Sequence, residues 1–245
     1  MNLVYLTLPN PTRKLILQEL EELFLKYKLS KSSITFGKML LNTPFFNPQD
    51  WRMRPTFEEG AWLNIAENKK FGFNGGLIWS VSPRSTVKWY RLQESMGLYP
   101  TGVNDIGKKS DYFGNVITNG MAIANVYFKP ADKFKINLCN GYLDNVMNIG
   151  IIEINAKQNL SEKTNLYQRL IFVQQDALSY GGNIDQSKSY FKKGGMSNVI
   201  NAQFGVKGKI NNRSINYTHT YWRWRVFNAS RTRERNFLYV YAPRA

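Results

Sequence analysis

In residues 122–139, AIANVYFKPADKFKINLC, apolar and polar side chains alternate, turn, and alternate again. Ala122, Ala124, Val126 and Phe128 share one side and Ile123, Asn125 and Tyr127 the other. Lys129-Pro130-Ala131-Asp132-Lys133 supplies a turn, after which Phe134, Ile136 and Leu138 alternate with Lys135, Asn137 and Cys139. A period of two on both sides of a short polar break predicts a β-hairpin. The same layout recurs: Asn159–Lys163 separates 149–157 from 166–175, and Lys207-Gly208-Lys209 separates 199–206 from the strand around Ile215 and Tyr217.

Upstream, Leu15–Leu25 admits an amphipathic helix. From Leu23 the period is two, with Leu23, Leu25, Tyr27 and Leu29 opposite Phe24, Lys26, Lys28 and Ser30. Strand is therefore the expectation there, followed by a turn at Lys31-Ser32-Ser33 and a second strand over 34–39. The connections 91–119 and 177–197, by contrast, are long and polar. Tight turns alternating with long loops is the plan of a transmembrane barrel, whereas the loops of a β-sandwich need not sort in this way. The expected class is all-β, an antiparallel transmembrane β-barrel present as an incomplete, up-and-down portion.

Composition agrees. Aromatics make up 14% of the chain although mean hydropathy is only −0.40. No stretch reaches the roughly 18 apolar residues of a membrane helix, so any membrane crossing must be by strands that close on one another. Trp79, Trp89 and Tyr127 suit either interfacial girdles or ordinary sheet packing. The single Cys139 leaves no internal disulfide, and the single His219 excludes a His-rich metal site and speaks against a catalytic triad. Adjacent Glu58 and Glu59 point to opposite faces of a strand and make a poor acid/base pair. The net charge of +16 favours anionic partners.

Residues 34–60, ITFGKMLLNTPFFNPQDWRMRPTFEEG, carry an ordered constellation: Gly37, Thr43-Pro44, Phe45-Phe46, Arg52, Pro55-Thr56 and Gly60. In that order it resembles the OprD-type outer-membrane porins. The resemblance covers roughly residues 20–220 and implies that Asn42 to Glu59 is a loop folded into the barrel to narrow the pore. It assigns Asn47, Gln49, Asp50, Arg52, Arg54, Glu58 and Glu59 to this constriction, with the arginines as bidentate donors to carboxylates and the acids opposing them. Trp51 stands where the family tends to have a small residue. A basic ladder on the wall is implied as well, with Lys26, Lys28, Lys38, Lys135 and Arg169 as its candidates. The function so implied is passive diffusion of small, anionic or peptide-like solutes, with no cofactor, metal or chemical step. Partners would be those solutes and the lipid and lipopolysaccharide of a bacterial outer membrane, not nucleic acid. The alternative reading is a soluble or secreted β-rich binding module, carbohydrate-directed through exposed Trp and Tyr.

Met1–Pro9 has no signal-peptide pattern, and family barrels are longer, so leader, first strands and closing strands are expected to lie beyond this chain. Residues 221–245 change character: six of the thirteen arginines and two of the six tryptophans fall there without alternation. Written with suitable codons and shifted by one base, Tyr221–Ala229 spells Thr-Gly-Asp-Gly-Glu-Phe-Leu-Met. The expectation is an out-of-frame tail appended to a partial barrel spanning 1–220.

Overall fold

A computed structural model describes residues 4–6, 15–17, 21–46, 48, 54–84, 86–98, 102, 108–161, 164–207 and 212–222. Two short strands, β1 (Val4–Leu6) and β2 (Leu15–Leu17), pair with each other, so the described start of the segment that admits a helix is extended. Ten further strands follow one path: β3 (Leu23–Leu29), β4 (Ser32–Met39), β5 (Phe57–Ile65), β6 (Phe71–Ser82), β8 (Met121–Ala131), β9 (Phe134–Leu143), β10 (Met147–Ser161), β11 (Thr164–Ala177), β12 (Met196–Lys207) and β13 (Asn212–Trp222). Each pairs antiparallel with its neighbour in sequence order, and a two-residue strand β7 (Tyr90–Arg91) adds to the end of β6. The sheet is open, with β3 and β13 at its edges. The one helix among the described residues, α1 (Leu92–Ser95), is a single turn.

The hairpin of 122–139 forms as the alternation predicts, from Met121↔Leu143 down to Ala131↔Phe134. The first turn falls earlier than expected. Leu29 pairs with Ser32, so Ser30 and Lys31 make a two-residue turn, with Ser30 at φ +54°, and Ser32 and Ser33 belong to β4. Two-residue hairpins need left-handed backbone to match the strand twist, which explains the compression. Tight connections at Ser30–Lys31, 66–70 and 132–133 share one end of the sheet; the segments 40–56, 83–120 and 178–195 share the other.

Antiparallel register turns the period of two into two distinct faces. Val126, Leu138, Ile152, Phe172 and Ile200 form one continuous row across five strands. Around it Leu25, Phe36, Leu77, Phe128, Leu170 and Phe204 are exposed too, Leu25 at 80%. The opposite face carries Lys26, Asn125, Asn137, Glu153, Asn155 and Asn201, and at the loop end a buried cluster of Met39, Ile78, Ile123, Ile151 and Ile171. The core therefore lies between one face of the sheet and its own loops, and the other face is uncovered except at its loop end, where Arg54 and residues 86–89 cover Phe57 and Ser82. A sheet that shows water its apolar side and packs its polar side is inverted relative to a soluble protein. It suits a barrel wall, apolar toward hydrocarbon and polar toward a lumen. The uncovered face is called outer below and the covered face inner.

Trp79 lies at the outer face, where it contacts Phe36 at 5.6 Å between ring centroids. It is the extra residue of a β-bulge, because Glu59 pairs with Ser80 and Gly60 with Ile78. Tyr127, in contrast, is on the inner face: its ring covers Gly72 on the paired strand, filling space that a side chain there would need.

Candidate functional site

The polar half of the inner face is built by register. Glu153 on β10 stands between Asn137 and Ile171, and Asn155, two residues on, between Lys135 and Arg169. Arg169 reaches diagonally to Glu153, Nε to Oε1 at 2.7 Å, with both side chains mostly buried. Asn155 donates to the same oxygen at 3.0 Å and Asn137 to Oε2 at 3.5 Å. Glu153 was not among the expected site residues, yet it organises this part of the wall. Arg169 is thus a tied cation, and a charge-assisted bond of this length holds its guanidinium in one place. Lys135 is exposed, 5.6 Å from the centre of the Tyr127 ring. Lys26 and Lys28 pair opposite Thr35 and Ser33 and share this face, exposed. A cleft of about 310 Å³ at the tight-turn end is lined by Lys129, Lys135, Lys157 and Arg169 among others. Asp132, its only acid, is bridged to Lys129 at 3.3 Å.

At the loop end described parts of three segments, around Leu41–Phe46, Tyr112–Val116 and Tyr190, fold onto the inner face. Thr43 makes a tight turn: its hydroxyl oxygen accepts the N–H groups of Phe45 and Phe46 at 3.1 and 2.9 Å, and its own N–H donates to the Phe46 carbonyl at 2.8 Å. The turn throws Phe45 onto β9, where Gly141 leaves room; a Cβ there would lie 2.6 Å from the ring. Glu58, fully buried, accepts the Leu41 N–H at 3.0 Å and fixes where this segment leaves β4. The two longer loops interlock, Asn183 donating to the Asn115 carbonyl at 2.7 Å and Ile117 N–H to Gly182 at 2.8 Å. Between them Tyr112 and Tyr190 meet edge to face, and burial beside Tyr112 pushes the Tyr190 phenol up to about 12.

The expected constriction residues divide. Asn47, Gln49, Asp50 and Arg52, with Trp51, lie outside the described residues. Glu58 and Glu59 are not on the loop: β5 begins at Phe57 and takes both into the sheet, Glu58 inward and Glu59 outward. Arg54 is committed elsewhere. It lies over Phe57, on the face opposite Glu58, and donates to Ser82 Oγ at 2.9 Å and the Thr86 carbonyl at 2.6 Å, with Glu21 3.6 Å away. Lys38 departs from the other wall lysines. Two residues beyond Phe36, it shares that residue's outer face, 4.4 Å from the Trp89 ring.

Among the described residues no group of three or more His, Cys, Asp or Glu is placed to hold a metal, and no helix is long and apolar enough to cross a membrane. The tail from residue 223 lies outside the described residues. Residues 21–222 match the model of a family described as outer membrane porin, OprD family. Solved structures with the same fold include OpdQ of Pseudomonas aeruginosa, at 16% identity and TM-score 0.61 over 82% of this chain and 50% of that one. OpdK of Pseudomonas aeruginosa with vanillate matches at 15% and 0.60, over 80% and 45%. OccAB3 of Acinetobacter baumannii matches at 14% and 0.61, over 81% and 44%. The chain spans about half the length of these structures. No curated protein matches it.

Proposed function

The chain belongs to the OprD family of outer-membrane porins, and from that premise we propose that it forms part of a passive diffusion channel for small anionic solutes. The observation that carries this reading is the division of the sheet: an exposed apolar face behind a polar, lysine-rich face onto which the loops fold. Hydrocarbon accepts the first, and water in a lumen solvates the second. The soluble binding module gives way, because a soluble sheet has no use for an uncovered row of Leu, Ile and Phe.

Selectivity arises from charge at close quarters. Lys26, Lys28 and Lys135 present ammonium groups to the lumen with no ion pair among the described residues, while Arg169, held by Glu153, supplies a fixed donor edge. A carboxylate, the chemistry of the vanillate with OpdK, suits both. The Thr43–Phe46 segment narrows the passage by laying two aromatic rings against the wall. Planar-bilayer recording across a potassium chloride gradient tests the proposal. The expected reversal potential lies on the chloride side, and Lys26→Glu/Lys28→Glu/Lys135→Glu moves it toward potassium. In a barrel completed by its remaining strands, an unmoved potential would remove these lysines from the conduction path and the absence of conductance would remove the channel, whereas the open sheet of this chain alone is expected to conduct nothing.

A further inference from the structure

At the loop end of the outer face, the register places four polar residues in one row: Lys38 opposite Glu59, Glu59 opposite Ser80, and Ser80 opposite Arg91. The row sits immediately beyond the apolar band, above Phe36, Ala61 and Leu77. Trp79, bulged out of β6, forms the wall of a cleft of about 470 Å³ whose other sides come from Glu59, Arg91, Gln93 and Asn119. Lys38 is steadied over Trp89, 4.4 Å from the ring, and has no ion pair among the described residues. The same holds for Arg91, which is exposed.

Such a lining has a particular chemistry. An indole face beside planar carboxylate, guanidinium and carboxamide groups is matched to a sugar ring, which has an apolar face and a rim of hydroxyls. Lys38 and Arg91 stand three strand spacings apart, roughly 14 Å, and both are suited to phosphate. Below the row Phe36, Ala61 and Leu77, and below them Ile34 and Leu63, keep the face apolar, as acyl chains would require. Exposed Arg84 and Lys88 lie on the segment between β6 and β7, which crosses this same face, since Arg54 and Lys38 contact it there.

We propose that this cleft, with Lys38 standing outside it on the far side of Glu59, is a headgroup site for a phosphorylated glycolipid of the outer leaflet: a disaccharide bearing phosphates, seated on Trp79 with one phosphate on Arg91 and the other reaching over Glu59 to Lys38. Glu59, between the two cations, accepts sugar hydroxyls. The site rests on the outer-membrane reading above, but it faces lipid and is separate from the conduction path.

The test titrates the purified protein in neutral detergent, read by native mass spectrometry, with bis-phosphorylated lipid A, dephosphorylated lipid A and phosphatidylglycerol. The bis-phosphorylated form is expected to bind about tenfold or more tighter than the other two. Lys38→Glu/Arg91→Glu is expected to abolish that preference, and Lys70→Glu, at the tight-turn end, to leave it intact. Equal binding of the phosphorylated and dephosphorylated forms by the unmutated protein would overturn the proposal, with no variant needed. So would phosphatidylglycerol binding as tightly as lipid A, or a preference that survives the double substitution. Insertion into vesicles, followed by protease protection, reports the membrane reading separately: a protein that inserts yet shows no phosphate preference refutes only the headgroup site.

Discussion

Replacing Leu138 with arginine tests the assignment of faces at a single residue. Leu138 is the fifth of ten residues in β9, half exposed, between Val126 and Ile152 in the apolar row. On the outside of a soluble sheet the substitution would change stability by less than about 0.5 kcal/mol. At mid-depth against hydrocarbon an arginine costs about 2–4 kcal/mol, which shifts the folding equilibrium roughly 30- to 700-fold. The neighbouring Asn137 is the control, because its side chain faces the opposite way, 3.5 Å from Glu153. Asn137→Arg is expected to cost less than about 1 kcal/mol, since water reaches that side and a carboxylate is at hand. Both variants would be unfolded with guanidinium from vesicles and followed by tryptophan emission. Equal costs at the two positions, or a cost at Leu138 below about 1 kcal/mol, would refute the assignment of faces.

Three other outcomes are expected. Glu153→Gln removes the negative charge that holds Arg169 at 2.7 Å and leaves a neutral amide oxygen; denaturant titration should show a loss of about 1.5–3 kcal/mol, and the loss of that charge should shift the reversal potential further toward chloride. Phe45→Ala empties the contact over Gly141, so single-channel conductance should rise while stability falls by about 3 kcal/mol. The nucleotide sequence across codons 221–245 should continue as barrel strands in a shifted frame, and early stop codons in that frame would end the out-of-frame reading.

The hairpins were legible because the period of two survives in nearly every strand, most clearly from Ala122 to Leu138. The face of Lys38 was legible by the same rule and was missed by grouping it with Lys26 and Lys28 by charge. Two steps back along β4 are Phe36 and Ile34, both outward. The family resemblance carries the loop through to Glu59, whereas β5 starts at Phe57 and the buried Glu58 carboxylate accepts the Leu41 N–H. The Glu153–Arg169 pair could not be read from sequence. It depends on how the strands on either side of the 159–163 connection are registered, and a one-residue slip would send the two side chains to opposite faces. The resemblance makes Arg54 a pore donor, and only its contacts with Phe57, Ser82 and Thr86 reveal a clamp on the outer side.

The two edges of the sheet carry an arithmetic constraint. β3 runs from the loop end toward the tight turns, and β13 runs the other way. Two strands of opposite sense can pair antiparallel directly, or with complete hairpins inserted between them, but never with one strand or three. Whatever seals the gap must therefore arrive in pairs. Ten strands on the path plus any number of pairs keeps the total even, the parity found in bacterial single-chain barrels.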